Sequence, residues 1–115
     1  MKTIVQFIIF MTLPFTQSYA EYAVDLQPNQ LTTIRMHTTH HSYANAQQMA
    51  VVLIAGLQDG CNSGVFFDAA QNKETLSYVL TFFVTKTNVR LGYEPNIRAP
   101  WGDTNLCALT FFDLK

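Results

Sequence analysis

Residues 72–88 read NKETLSYVLTFFVTKTN, and whether this stretch is helix or strand decides the architecture. Asn72 is a suitable N-cap, and Glu74 in the first turn sets a negative charge against the positive end of a helix. Leu76, Val79, Leu80, Phe83 and Val84 recur at i, i+3, i+4, i+7 and i+8, which is one face of a helix. The β-branched and aromatic content of SYVLTFFVT pulls toward a strand, but the length and the capping signal select the helix. With that face turned to a core, Tyr78, Phe82 and Thr85 lie on another side. An exposed Phe82 is costly in a monomer and natural at a subunit contact, so Phe82 and Tyr78 are candidate oligomer contacts.

The segments on either side read as strands. Leu31 to Thr38 alternates, with Ile34, Met36 and Thr38 on one side and Arg35 and His37 on the other. A polar loop, residues 40–48, follows. Met49 to Leu57 is apolar on both parities, as in a strand covered on both faces. Gln58-Asp59-Gly60 is a turn, and Val65 to Asp68 is a short aromatic strand behind residues 61–64. After the helix, Val89, Leu91 and Tyr93 alternate with Arg90, Gly92 and Glu94. Pro95 and Pro100 bracket a loop ending in Trp101-Gly102-Asp103, and Leu106 to Leu114 is the last strand. The fold class is therefore mostly β with one helix (α+β), in the order β-β-β-α-β-β. That is the order of an OB-like five-stranded barrel, a partly open Greek key. One helix packed on another kind of five-stranded sheet gives the same string.

Upstream, residues 1–20 (MKTIVQFIIFMTLPFTQSYA) have a basic start at Lys2, a short apolar run from Ile4 to Phe15, and small residues at Ser18 and Ala20. This is the pattern of a signal peptide cleaved after Ala20, with no retained membrane span. Residues 21–115 then form a single domain in the periplasm or outside the cell. In such a compartment Cys61 and Cys107, the two cysteines, read as one disulfide. Closing that loop is worth about 4 kcal/mol on a chain-entropy model. A zinc site needs more ligands than this pair supplies.

The chain has 7 Lys and Arg against 8 Asp and Glu, and losing Lys2 makes it one unit more negative. No basic block is present, which argues against nucleic acid and anionic membranes as partners. Charged residues are 13% of the chain, about half the usual share, so much of the surface must be Thr, Asn, Gln and aromatics. Such a surface suits oligomer interfaces or sugars.

No Gly-x-Ser-x-Gly occurs, and the carboxylates are scattered, with nothing to single out a pair such as Asp68 and Asp103. The expectation is a chain that is not an enzyme and carries no cofactor and no metal. His37, His40 and His41 cluster, but no carboxylate accompanies them in sequence, and they read as edge and loop histidines. Trp101 is the most informative side chain. In a Pro/Gly-bounded loop beside Asp103 and Asn105, an exposed indole stacks on the C–H face of a sugar while its polar neighbours bond the hydroxyls. The alternative packs Trp101 into one end of the barrel near the disulfide. Tyr43, in the long first hairpin loop, is the second ligand candidate.

From about Leu53 to Leu114 the chain combines the Cys61 turn, the 72–88 helix, the strand VRLGYEP and the Trp101 to Cys107 segment. In this it resembles the B subunits of the subtilase cytotoxin and typhoid toxin group, the binding subunits of pentameric AB toxins. The resemblance implies an exported OB-fold domain with a disulfide, binding host glycan as a homo-pentamer. It carries over no sugar-contacting residue and says nothing of a toxic A subunit. Two functions are thus expected in turn: a non-catalytic glycan-binding module, or a small periplasmic structural or protein-interaction protein without a sugar site.

Overall fold

A computed structural model describes residues 21–115; the leader reading of residues 1–20 lies outside the described residues. The described residues form six strands: β1 (Tyr22–Leu26), β2 (Leu31–Met36), β3 (Met49–Ile54), β4 (Gly64–Asp68), β5 (Val89–Arg98) and β6 (Leu106–Leu114). The helix α1 (Lys73–Thr85) lies between β4 and β5, where the sequence places it. All strands form one sheet in the order β1-β5-β6-β4-β3-β2. Every pairing is antiparallel except β4 with β6.

The five-strand reading omits β1. Its alternation is visible in Tyr22, Val24 and Leu26 against Ala23 and Asp25, but it is short and ends at once in a 3-10 turn, Pro28–Gln30. The Gln27 N–H donates to Gln30 Oε1 at 2.9 Å and fixes the break. β1 and β2 are the two edges of the sheet, yet only residues 27–30 join them. Five chain steps reach at most roughly 18 Å, whereas six flat strands hold their edges about 24 Å apart. The sheet must therefore curl toward itself at this end, and Leu26 and Leu31 are both buried in the same core. No ladder joins β1 to β2, so the sheet is not closed.

β3 is buried on both parities, as the apolar run from Met49 predicts. Ala50, Val52 and Ile54 enter the inner core with Val65, Leu91 and Phe112, under α1. Val51 points to the opposite, outer face and packs with Phe66, Leu106 and Ala99, where Trp101 covers them. Gly64 makes the β3–β4 contact possible: at φ +138°, a Cβ there would lie 2.0 Å from the Val52 carbonyl oxygen. β5 continues past the predicted Glu94 into the expected Pro95–Pro100 loop and ends at Arg98, through a register shift between Glu94 and Arg98, the place where Pro95 has no N–H to offer a ladder.

The helix is rolled relative to the sequence reading. Val79 and Phe82 are its buried residues, with Leu76 and Phe83 half-buried beside them. Leu80 and Val84, expected inside, are 47% and 83% exposed. Phe82 has no accessible surface and packs on Phe83 and Phe112, so it has none to offer a second copy. The cause is an apolar arc too broad to define one face: 76, 79, 82 and 83 make as good a stripe as 76, 79, 80 and 83. Tyr78 is 51% exposed. At the N-terminus the Asn72 amide does not cap its own helix but donates to Asp68 O, while Asp68 Oδ1 accepts from the N–H groups of Ala70 and Gln71. Lys86 ends the helix in the left-handed conformation.

Cys61 and Cys107 are bonded and fully buried, and Cys107 stands opposite Val65 in the parallel β4–β6 pair. Among the described residues no helix is long and apolar enough to cross a membrane.

Candidate functional site

The two ligand candidates from sequence, Tyr43 and Trp101, lie on loops far apart in the chain, and the fold brings those loops together. The Asn45 amide donates to the Pro100 carbonyl at 2.9 Å across 55 positions of sequence. Between the two aromatics stand His41 and His37. Ring centroids run from Tyr43 to His41 (5.9 Å), His41 to His37 (4.3 Å), His37 to Trp101 (5.2 Å) and Trp101 to Phe66 (5.5 Å). The Trp101 contacts are edge-to-face, the favourable arrangement for aromatic quadrupoles. A continuous aromatic strip thus crosses the outer face, from exposed Tyr43 at 59% to half-buried Trp101.

Backbone contacts hold each ring in place. His37 follows β2, and its N–H donates to Met49 O at 2.9 Å. Its Nδ1 lies 2.8 Å from Ala46 O. A carbonyl only accepts, so that nitrogen carries the proton. Tyr43 N–H donates to His41 Nδ1 at 3.1 Å, which places the neutral His41 proton on Nε2. Gln47 Nε2 also donates to His41 O. His37 is therefore not the solvated edge histidine expected from sequence; it is nine-tenths buried and central to the strip. Among the described residues no group of three or more His, Cys, Asp or Glu is placed to hold a metal ion.

Trp101 does not plug a barrel end. Its loop folds over the outer face of β3 and β4 and is tied down by its own backbone, with Gly102 N–H donating to Ala99 O and Ala99 N–H to Leu106 O. Asp103 is half-buried and its Oδ1 accepts the Asn105 N–H at 3.1 Å; Asn105 itself is exposed. These two share the Trp101 loop, while Tyr43 reaches the site only through the histidines.

Arg98 is a residue that the sequence reading does not single out. Its guanidinium donates to Asp59 O (2.7 Å), Gly60 O (3.0 Å) and Thr104 O (2.9 Å), locking the 58–60 turn to the Trp101 loop. Nothing local marks it, because all three acceptors are backbone carbonyls distant or irregular in sequence. Chemically, the strip offers aromatic faces with amide, carboxylate and imidazole groups around them, a surface suited to stacking and hydrogen bonding.

Among the described residues, two ionisable groups outside the strip are perturbed. Lys115, hydrogen-bonded to Asp25, and Arg90 beside it hold the Asp25 carboxyl below its ordinary range. The Asp59 carboxylate beside Tyr22 holds that phenol above its ordinary range.

No protein-family model, curated protein or solved structure matches this chain.

Proposed function

We propose that the chain is an exported, non-catalytic binding module of the toxin B-subunit kind that recognises glycan on a surface and assembles as a ring, on the pattern of a homo-pentamer. The observation that carries this reading is the aromatic strip. It joins Tyr43 to Trp101 on one outer face, with Asp103 and Asn105 on the same loop as the indole. Sugars present apolar C–H faces rimmed by hydroxyls, and such a strip answers both.

The barrel reading has support in the connectivity. If β1 and β2 are one bent strand broken at Pro28, the remaining elements are the five strands and single helix of an OB-like fold, with the parallel pair between its third and fifth strands. For ring formation Leu80 and Val84, exposed together on one side of α1, replace Phe82 as the contact, while exposed Tyr78 lies on the opposite flank of the helix. The same apolar side favours the second reading, a periplasmic protein-interaction module without a sugar site.

Oxidised protein comprising residues 21–115 tests both. Titration with a panel of oligosaccharides should shift the fluorescence of Trp101, the one tryptophan. Trp101→Ala and Tyr43→Ala should weaken binding by about tenfold or more without unfolding the domain. A strip that stays silent to every saccharide, with light scattering showing a clean monomer, would remove this function in favour of protein partners.

A further inference from the structure

Two histidines stack inside the aromatic strip, and the number of protons on one of them decides whether the strip holds together. His41 and His37 lie ring to ring, with centroids 4.3 Å apart and planes inclined by 34°. We infer that His41 is an acid-sensitive latch: neutral, its Nδ1 holds the Tyr43 backbone in the strip, and protonated it lets the Tyr43 end of the strip go. Release of ligand in acid rests on the reading of the strip as a binding surface. The opening of the loop does not.

The latch is one hydrogen bond whose acceptor is also where a second proton must go. Tyr43 N–H donates to His41 Nδ1 at 3.1 Å, so the neutral ring carries its proton on Nε2. An imidazolium has no acceptor on either nitrogen. In acid the Tyr43 N–H therefore faces another N–H, and turning the ring over presents no lone pair in its place. The main chain of His41 cannot follow the ring away. Its N–H donates to Thr38 O at 3.2 Å, and its carbonyl accepts from Gln47 Nε2 at 3.1 Å. On the other side Tyr43 O accepts the Ala46 N–H of the 3-10 turn Ala44–Ala46. The change falls between these anchors, where the Tyr43 side chain already stands out from the fold.

His37 reinforces the response. Its Nδ1–H is given to Ala46 O at 2.8 Å, and its Nε2 can take a proton without breaking that bond. Either ring can thus carry charge, but two cations at the spacing of this stack repel each other. His37 is buried, so water screens the repulsion weakly. A charge on His37 pushes in the same direction as the lost Tyr43 bond.

The surroundings do not offset these charges. The elements around the pair present the Tyr43 and Trp101 rings, His40 next to His41, and Arg35 two residues before His37 on the same side of β2. From α1, Lys73 lines a common cleft with His37. Arg35 and Lys73 are themselves cations. The carboxylates of the adjoining elements are turned to backbone: Asp103 Oδ1 accepts the Asn105 N–H, and Asp68 Oδ1 accepts those of Ala70 and Gln71. Among the described residues no carboxylate forms an ion pair with a histidine.

Solvent-exchange NMR of the oxidised domain reads the latch without any ligand. Protection of the Tyr43 N–H, corrected for the intrinsic exchange rate at each pH, should fall about tenfold between pH 8 and pH 5, the range in which histidine takes up its charge. Amides of the β2–β3 ladder should keep their protection, which separates opening of the latch from unfolding. His41→Asn is the control, because an asparagine oxygen accepts the N–H two residues on and does not titrate. Its Tyr43 N–H should be equally protected at both pH values. An oligosaccharide that shifts Trp101 fluorescence at pH 8 should bind the parent about tenfold more weakly at pH 5, and His41→Asn equally at both. The inference is overturned if the parent's Tyr43 N–H is unprotected at pH 8, if it keeps its protection at pH 5, or if His41→Asn loses protection as the parent does. A strip that binds no saccharide overturns the release of ligand and not the latch, which the amides alone decide.

Discussion

Replacing Phe82 by alanine separates a core helix face from an interfacial one. Phe82 is fully buried inside its own chain, with Phe83 at 5.0 Å and Phe112 at 6.4 Å, both edge-to-face. Truncating a buried phenylalanine costs about 3–5 kcal/mol, from lost transfer energy and the cavity left behind. Two aromatic partners put this site toward the upper half of that range. A small domain holds about 5–15 kcal/mol in all, so the variant should be close to its limit. At about 4–8 °C per kcal/mol the thermal midpoint should fall by more than roughly 12 °C. Urea denaturation followed by far-UV circular dichroism, run at two protein concentrations tenfold apart, is the assay. The loss should be the same at both concentrations, because the contacts are within one chain. Val84→Ser, two residues along but 83% exposed, should change stability by less than about 0.5 kcal/mol. If Phe82→Ala proves too unstable to measure, Phe82→Leu should show a loss of about 1–2 kcal/mol, again independent of concentration. A loss below about 1 kcal/mol for Phe82→Ala, or one that appears only as subunits dissociate, would refute the packing of α1 described above.

Reducing the Cys61–Cys107 bond, or changing both residues to serine, should cost about 4 kcal/mol for a 46-residue separation, read as a lower urea midpoint with the fold retained at low temperature. Thr87 Oγ1 is buried with no hydrogen-bond partner among the described residues, so Thr87→Val should raise stability by about 1 kcal/mol in the same assay. Gly64→Ala should abolish folding at ambient temperature, since its Cβ would meet the Val52 carbonyl and its backbone sits at a φ that L-residues avoid; a folded variant by circular dichroism would contradict the β3–β4 register. For pH, the folded Asp25 carboxyl lies below its unfolded value, so its contribution is present above about pH 4 and is lost as pH falls through the lowered folded value. Asp25→Asn should therefore flatten the acid limb of the stability–pH curve, by a small amount that shrinks further in salt because the pair is exposed.

How much of this was legible in the chain differs from element to element. The alternation of Val89, Leu91 and Tyr93, and the two-sided run from Met49, encode burial directly, and those strands begin where the pattern puts them, although β3 stops at Ile54 rather than Leu57 and β5 runs on to Arg98. β1 was hidden because five residues give little alternation before Pro28 interrupts them. The helix was legible as a helix but not in its roll, since Leu80 and Val84 extend the apolar arc beyond what the core can cover. Trp101 and Tyr43 were each visible as residue types. Their common surface was not, because it is created by His37, His41 and the Asn45–Pro100 bond, all of which depend on the finished sheet.

The position of β1 governs the order in which the protein can assemble. β1 is the first strand of the described chain, yet its sole ladder partner, β5, lies on the far side of the helix. Pairing Tyr22 with Tyr93 closes one of the longest loops in the molecule, and loop closure is entropically unfavourable until other contacts have shortened the search. The β2–β3–β4 hairpins are local and can form early. β1 must wait, loosely tethered by residues 27–30, until β5 and β6 are in place. A chain emerging N-terminus first would therefore complete its fold with the segment that emerged earliest, and until then the β5 backbone would present an unpaired edge. Docking β1 is at once the last long-range closure and the step that shields this edge from other chains.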